Sequence, residues 1–229
     1  IENVPNISDI DYIIKILLAI GAEVKMLNKS TLRIDPRRIH TPEVEYELAK
    51  KMRASYYFLG ALLGRLGTAR VSMPGGCDLG TRSIDQHLKG FNSLGAECTV
   101  EHGMIRVSAD RLVGAHIYFD LVTVGATINV MLAAVKADGL TVIENAAKEP
   151  HIVDLANFLN SMGADIMGAG TDVIKIRGVK SLHGAQYSII PDQIEAGTFM
   201  VAAAATRGDI LNKNVIPQHL ESITVKLQK

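Results

Sequence analysis

The chain has 229 residues, of which 48% are hydrophobic, and its 24 basic side chains are balanced by 24 acidic ones. This length and apolar content allow a substantial buried core, and the balanced charge argues against nucleic acid or an anionic membrane as a partner. The longest uninterrupted apolar run, 199–205, is far shorter than the roughly 20 residues of a membrane span, and no basic-then-apolar leader opens the sequence. We therefore expect a cytoplasmic protein.

Three similar segments, each ending an amphipathic stretch, reveal an internal repeat. They read LAIGAEV at 18–24, NSLGAEC at 92–98 and NSMGADI at 160–166. The stretches before them have helical spacing, so each Gly-Ala pair is predicted to stop a helix, with the glycine in the left-handed conformation. Short strands are predicted after each stop, at 31–34, 104–107 and 173–176, and a second strand in the later copies, at 114–120 and 184–190.

Each repeat also contains a segment without any charged side chain, at 54–64, 125–135 and 197–205. A helix that is apolar on every face belongs in the centre of a core. The pattern therefore predicts an α/β protein of repeated βαβαββ units, in which sheets and amphipathic helices surround buried helices. This is an inside-out α/β barrel, the reverse of a barrel with a strand interior.

The phase of the repeat predicts that the chain is part of a longer protein. The opening tripeptide IEN at 1–3 aligns with IEN at 143–145, in the middle of a later unit, and 220–227 resembles the amphipathic helix that precedes another Gly-Ala stop. We expect residues 1–190 to form most of a first domain that lacks its first helix, and 191–229 to begin a second, truncated domain.

The stretch PGGCDLGTRSIDQH at 74–87 contains Cys77, a candidate functional cysteine. Two cysteines cannot form a disulfide framework, and Cys98 lies in the alternating stretch 96–100, where we expect a small buried strand residue. Cys77 instead follows two glycines and precedes Arg82 by five residues. A nearby cation lowers the pKa of a thiol, and a glycine-rich loop can close over a bound anion, although an inert cysteine on a surface turn has the same local pattern.

Five segments together closely resemble the bacterial UDP-N-acetylglucosamine enolpyruvyl transferases. They are MRAS at 52–55, PGGCDLGTRSIDQH at 74–87, TVGAT at 123–127, ENAAKEPHIVD at 144–154 and PDQIEAGTF at 191–199. The resemblance extends over the whole chain, in order. It implies a fold of two inside-out domains with the active site between them. The implied reaction transfers enolpyruvate from phosphoenolpyruvate to the 3-hydroxyl of UDP-N-acetylglucosamine and releases phosphate, the first committed step of peptidoglycan synthesis.

The resemblance also implies roles for individual residues. Cys77 would donate a proton to the methylene carbon of phosphoenolpyruvate and would be alkylated by fosfomycin, and Arg82 and Arg53 would bind anionic groups, for which a planar guanidinium is suited. Further implied contacts are to the uridine end of the nucleotide, from Ser83, Ile84, Asp85, Gln86 and His87, and to its diphosphate, from Thr123, Val124 and Gly125 at the start of a buried helix.

Some positions leave alternatives open. Asp85 is also a plausible helix N-cap, and Leu121 replaces a lysine that is common in the family. Glu149 and Asp192 match acidic positions near the family's cleft and would act as supporting or hinge residues, although a carboxylate on a loop is otherwise a solvated charge. No metal site or cofactor is predicted, because the seven histidines have no ligand spacing.

The expected partners are the two substrates and the remainder of a longer polypeptide. The family's N-terminal Lys-Asn pair, its aspartate base and two cleft arginines would lie outside these 229 residues, so we expect this chain alone to be inactive. Two other functions remain open. One is the sister enzyme that transfers enolpyruvate to shikimate phosphate, which the Pro-Gly-Gly-Cys loop disfavours; the other is a non-catalytic domain that binds a sugar nucleotide.

Overall fold

The computed structural model describes residues 1–73 and 83–228, and the chain divides into two compact units, Ile1–Ser188 and Ile189–Lys229. The predicted segment that contains Cys77 and Arg82 lies outside the described residues. Within the described ranges, no helix combines the length and apolarity needed to cross a bilayer.

The first unit alternates helices and short strands. Its helices are α1 (Ser8–Ala19), α2 (Tyr46–Ala49), α3 (Tyr57–Leu66), α4 (Asp85–Ser93), α5 (Val124–Ala134) and α6 (Pro150–Ser161), with a 3-10 turn at Arg53–Tyr56. Its strands are β1 (Glu23–Asn28), β2 (Thr31–Asp35), β3 (Glu43–Val44), β4 (Thr68–Ser72), β5 (Glu97–Glu101), β6 (Met104–Ser108), β7 (His116–Tyr118), β8 (Leu140–Glu144), β9 (Asp165–Met167) and β10 (Val173–Arg177). The mixed α/β content is as predicted. The strands predicted at 31–34, 104–107 and 173–176 are confirmed as β2, β6 and β10.

Two four-stranded sheets of the first unit have the same topology. Their orders are β3-β4-β6-β5 and β7-β8-β10-β9. In each sheet the first pair is parallel and the other two pairs are antiparallel. The repeat detected in the sequence is therefore a repeat of sheet topology.

A third copy of this arrangement contains β1 and β2. The backbone N–H of Leu32 donates to the carbonyl of Ile1 at 2.8 Å, and Glu2 forms a parallel bridge with Ser188. The spatial order is thus Ser188, Glu2, β2, β1, as in the other two sheets. Asn3 and Asn145 both have a positive φ, 61° and 56°, which agrees with the alignment of their two tripeptides.

The second strand predicted at 184–190 is wrong. The segment forms the single bridge at Ser188, and the backbone N–H of Glu2 donates to the carbonyl of Tyr187 at 2.8 Å. The counterpart predicted at 114–120 is confirmed as the three-residue β7.

The three Gly-Ala stops are confirmed with one shared geometry. Gly21, Gly95 and Gly163 have φ values of 102°, 89° and 97°. In each case the N–H of the following alanine donates to a carbonyl five residues earlier, at 2.8, 3.0 and 3.0 Å. A left-handed glycine with this backbone bond is the Schellman termination of a helix, and it turns the chain from α1, α4 and α6 into the next strand.

The buried helices at the centre of the first unit are α3 and α5. Most of α5 is inaccessible to solvent, and the apolar side chains of α3 are buried where it packs against α5. The N–H of Gly60 donates to Asn129 Oδ1 at 2.9 Å, so the two helix backbones approach closely. The helix predicted at 54–64 begins later than expected, because its first turn is 3-10.

The second unit contains α7 (Gln193–Thr206), a 3-10 turn at Pro217–Leu220 and α8 (Glu221–Leu227). The prediction that 197–205 is buried is wrong for this structure: Ala196 and Gly197 are buried, whereas Phe199 and Val201 are about half exposed. Within this unit, the 3-10 turn and α8 are the elements that pack against α7, and they cover one part of its surface.

Candidate functional site

An open cavity of about 510 Å³ in the first unit collects most of the predicted binding residues. Three segments form its walls: the turn before α3, the start of α4 and the segment that leads into α5. The described residues that line it are Arg53, Tyr56, Tyr57, Ser83, Asp85, Gln86, His87, Leu121, Val122, Thr123, Val124 and Gly125. Segments separated by about 30 to 40 residues in the chain are thus brought to one place by the repeat.

The cavity has a positively charged side. The guanidinium of Arg53 lies over the ring of Tyr56, 5.5 Å from its centroid. Thr123 is the N-cap of α5, with extended backbone, and the first amides of a helix have no acceptor within the helix. A helix N-terminus beside an arginine favours a bound anion. Leu121, where the family commonly has lysine, lines the cavity and is 68% exposed.

His87 is a buried polar group in the wall of this cavity. It is 4% exposed, and neither ring nitrogen has a hydrogen-bond partner among the described residues. Its ring meets Tyr56 edge-on, with centroids 5.0 Å apart. Burial, and then the nearby charge of Arg53, lower the pKa of His87 to about 4. The imidazole is therefore neutral at pH 7, with one donor and one acceptor left for a polar ligand or water.

Gly125 permits the close contact between α5 and these rings. A Cβ atom at this position would lie 2.5 Å from Tyr56 Oη and 2.8 Å from His87 Nε2. Any other residue would have to displace one of the two side chains. The glycine therefore keeps the N-terminus of α5 within reach of His87 and Tyr56.

Two tyrosines in this wall were missed by sequence reasoning. Tyr56 and Tyr57 have ring centroids 4.6 Å apart, and burial, with a smaller contribution from the Tyr56 hydroxyl, raises the pKa of Tyr57 well above its usual range. The Tyr57 hydroxyl therefore stays protonated and can donate a hydrogen bond. The sequence signal for them is a pair of hydroxyl-bearing rings in the otherwise apolar segment 54–64, which is predicted to lie in the core.

The start of α4 contains a hydrogen-bonded network. Gln86 Nε2 donates to Asp85 Oδ2 at 2.8 Å and to Asp120 Oδ2 at 3.2 Å, and Gln86 Oε1 accepts from the backbone N–H of Asp120 at 3.0 Å. Lys89 Nζ donates to the same carboxylate oxygen of Asp120 at 2.8 Å. Hydrogen bonds from Ser83, and then from Gln86, lower the pKa of Asp85.

The alternative role of Asp85 as a helix N-cap is wrong. Ile84 occupies the N-cap position without a side-chain cap, and Asp85 is the first residue of α4. Ser83 Oγ instead accepts from the N–H of Asp85 at 3.2 Å. Asp85 lines the cavity, and its carboxylate accepts from Gln86 Nε2.

Ile84 and Glu149 are not among the described residues that line the cavity. Ile84 is buried in the hydrophobic core of the first unit. Glu149 precedes α6 without capping it, and its buried Oε2 atom has no partner among the described residues. Asp192 caps α7 by accepting from Ile194 N at 2.7 Å and Glu195 N at 3.2 Å, an ordinary structural role. Cys77 and Arg82 fall within 74–82, outside the described residues.

The cysteine that is described, Cys98, lies in β5 as predicted but is half-buried. Burial raises its pKa to about 11, so it is a poor nucleophile at neutral pH. Within residues 1–73 and 83–228, no cluster of three or more His, Cys, Asp or Glu side chains could hold a metal ion.

Similar proteins agree with the resemblance seen in the sequence. The chain is 60% identical over 227 residues to UDP-N-acetylglucosamine 1-carboxyvinyltransferase 3 of Caldanaerobacter subterraneus, which covers 99% of this chain and 54% of the relative. The enzyme of the same name from Clostridium botulinum is also 60% identical, with the same shares covered. A Bacillus cereus relative is 56% identical, over 100% of this chain and 53% of its own length. The chain spans about half the length of these curated relatives.

Solved structures show the same fold. The enolpyruvyl transferase NikO of Streptomyces tendae matches with a TM-score of 0.75 and 26% identity, covering 88% of this chain and 48% of that one. The EPSP synthase of Acinetobacter baumannii matches with a TM-score of 0.63 and 18% identity, covering 87% and 46%. These likenesses confirm the predicted enolpyruvyl transferase-like α/β fold.

A family model described as EPSP synthase (3-phosphoshikimate 1-carboxyvinyltransferase) matches residues 1–229. Because this match extends over the whole sequence and the fold agrees with it, the chain belongs to the EPSP synthase family of enolpyruvyl transferases.

Proposed function

We propose that this chain provides the nucleotide-binding side of a UDP-N-acetylglucosamine 1-carboxyvinyltransferase. The enzyme would transfer enolpyruvate from phosphoenolpyruvate to the sugar 3-hydroxyl and release phosphate, as the first committed step of peptidoglycan synthesis. The observation that supports this most is the cavity that Arg53, the N-terminus of α5 and the start of α4 line together. The relatives at 54 to 60% identity that bear this name agree with it.

The cavity has the chemistry that a nucleoside diphosphate sugar requires. A diphosphate would bind at the N-terminus of α5, where Thr123, Val124 and Gly125 line the cavity and Arg53 adds a positive charge. The uridine end would lie against Ser83 and the start of α4. The neutral His87 adds one donor and one acceptor to the same wall.

The chemical step follows from the resemblance. The sugar oxygen forms a bond to C2 of phosphoenolpyruvate while a proton adds to the C3 methylene, for which Cys77 is the proposed donor. Loss of a proton from C3 and cleavage of the bond between C2 and the phosphate oxygen then give the enolpyruvyl ether and inorganic phosphate. Arg82 would stabilise the charge on the departing phosphate. Because both substrates are anions that do not cross a bilayer unaided, we place the reaction in the cytoplasm.

The supporting positions are also part of this proposal. Glu149 and Asp192 would hold segments beside the cleft and would not react with substrate. Residues 191–229 would begin a second repeat domain. The capped helix α7 there begins within the sequence PDQIEAGTF at 191–199, one of the segments that carry the resemblance.

Phosphate release by the whole protein tests the reaction. We expect turnover when phosphoenolpyruvate and UDP-N-acetylglucosamine are both present, and background rates when either is omitted. Shikimate 3-phosphate is the competing acceptor, since it is the substrate named in the family description. Turnover with shikimate 3-phosphate but not with the nucleotide sugar would refute the assignment, and nucleotide-sugar binding without turnover would favour a non-catalytic domain.

Fosfomycin labelling tests the role of Cys77 independently. We expect the epoxide to alkylate Cys77, faster when UDP-N-acetylglucosamine is bound, and Cys98 provides an internal control because its thiol is half-buried with a raised pKa. Peptide mapping by mass spectrometry would locate the adduct. An adduct on Cys98 alone, or none after long exposure, would contradict the proposal.

A single substitution separates proton donation from nucleophilicity. Cys77→Asp should retain turnover and resist fosfomycin, because a carboxylic acid can donate a proton but is a weak nucleophile toward an epoxide. Turnover and drug sensitivity measured on the same preparation check this. Loss of turnover with intact nucleotide-sugar affinity would show that the thiol does more than donate a proton.

A further inference from the structure

Gln86 connects two of the three walls of the cavity, the start of α4 and the segment that leads into α5. It is 7% exposed and belongs to the start of α4, whereas its partner Asp120 lies just beyond β7, two residues before Val122. Its amide forms three hydrogen bonds, two as donor to the carboxylates of Asp85 and Asp120 and one as acceptor from the backbone of Asp120. Both of its N–H donors are therefore used within the protein.

The segment that Gln86 holds leads directly into the N-terminus of α5. Residues 121–125 line the cavity after Asp120, and Leu121 and Val122 are exposed there. On the other side, Asn145 Nδ2 donates to the carbonyl of Phe119 at 2.9 Å. Phe119 and Asp120 are thus held by two buried or half-buried amides, whereas Leu121 and Val122 after them are more than half exposed.

We propose that Gln86 is a positioning residue that holds the 121–125 segment and the Asp85 carboxylate in the geometry that binds the nucleotide sugar, without contacting the ligand through its own side-chain donors. The inference rests on the proposed function for the identity of the ligand. The resemblance implies that Gln86 contacts the uridine end of the nucleotide directly. The proposal instead gives Gln86 an indirect role, through the protein segments that it holds. The bridge itself is visible in the structure without any ligand.

The chemistry of this bridge requires an amide. A carboxylate at position 86 would lie between the carboxylates of Asp85 and Asp120, and Lys89 is the cation bound to Asp120. His87, the next residue of α4, and Arg53 line the same cavity. Two neighbouring negative charges raise the pKa of an introduced carboxyl group. Once protonated, that group could donate one hydrogen bond to a neighbouring carboxylate and still accept from Asp120 N–H.

Two variants and one control test the proposal in the whole protein. Gln86→Met keeps the length of the side chain and removes its hydrogen bonds, and Gln86→Glu keeps its shape. Gln186→Met is the matched control, because Gln186 is exposed and makes its single recorded bond to Glu2 on the surface. Thermal melting would establish that each variant folds.

The first measurement is hydrogen exchange of the peptide covering 119–127 in the ligand-free protein. We expect faster exchange in Gln86→Met than in the wild type or Gln186→Met, with no change in peptides from α6 and β10. The second is the Kd for UDP-N-acetylglucosamine by calorimetry, which should rise about tenfold in Gln86→Met because a buried amide network is lost.

The pH profile distinguishes a hydrogen-bonding bridge from simple packing. Relative to the wild type at each pH, Gln86→Glu should bind at least tenfold more weakly at pH 8 and recover to within about threefold at pH 5, where its carboxyl is protonated. A deficit that is equal at both pH values would overturn the proposal, as would unchanged exchange and affinity in Gln86→Met. If exchange in 119–127 accelerates but the wild type does not bind UDP-N-acetylglucosamine, the positioning role is supported and the proposed function fails.

Discussion

Gly60→Ala should destabilise the first unit by about 1 to 3 kcal/mol, because the packing of α3 against α5 leaves no room for a methyl group. A Cβ atom at position 60 would lie 2.2 Å from the backbone oxygen of Asn129 and 2.9 Å from its Oδ1 atom. Ordinary carbon–oxygen contacts are longer by about an ångström, and a helix backbone cannot rotate away as a side chain can. Overpacking costs about 1 to 3 kcal/mol and a weakened hydrogen bond from Gly60 N–H about 1 more, offset by about 1 from the helix propensity of alanine.

Chemical denaturation followed by circular dichroism measures this difference, with two glycines as controls. Gly184→Ala should be nearly neutral, because no heavy atom lies within 4 Å of its added Cβ. Gly64→Ala should cost less than Gly60→Ala, since its nearest contact, Leu132 O, is 3.0 Å away. Equal unfolding free energies for the variants at positions 60 and 184 would refute the proposed close packing of α3 and α5.

Three further predictions concern the cavity and the described cysteine. Gly125→Ala should raise the Kd for UDP-N-acetylglucosamine about tenfold, because its Cβ displaces the Tyr56 or His87 side chain; unchanged affinity in calorimetry would contradict this. His87 has a folded pKa of about 4 against an ordinary value of 6.5, so the unfolded state binds more protons and stability falls as pH drops through that window. His87→Gln should therefore reduce the pH dependence of the unfolding free energy between pH 6.5 and 4 by about 2 to 3 kcal/mol, and an unchanged pH dependence in chemical denaturation would contradict this. Cys98, with a pKa raised to about 11, should react with iodoacetamide at pH 8 about a hundredfold more slowly than free cysteine, and rapid labelling of the folded protein would contradict its burial.

The repeat made much of the fold predictable from the sequence. The Gly-Ala stops depend on a local conformation that glycine adopts readily, so three copies of the same pattern located the ends of α1, α4 and α6. The charge-free segments also identified α3 and α5 as the central helices. Exposure of Phe199 in α7 could not be inferred, because burial depends on which elements cover a helix and not on its composition.

The candidate site was predictable in part, through the resemblance and not through spacing. Residues near Arg53, Ser83 and Thr123 are far apart in sequence, and no local pattern indicated that they line one cavity. The role of Gln86 was not accessible at all, since its partner Asp120 lies 34 residues away. Hydrogen bonds between side chains of different repeats produce no periodic pattern of residue types, so a single sequence does not reveal them.

The bridge between Glu2 and Ser188 constrains the order in which the first unit folds. It joins residues from opposite ends of that unit, whereas β1 and β2 form a local hairpin with a short connection. Closing so long a loop has an entropic cost that local pairing does not, so the hairpin can form early while its neighbours in the third sheet join last. During synthesis, the strand partner of Glu2 leaves the ribosome only after almost all of the unit has been made. Glu2, beside the β1–β2 hairpin, therefore remains without this partner until residue 188 has been made.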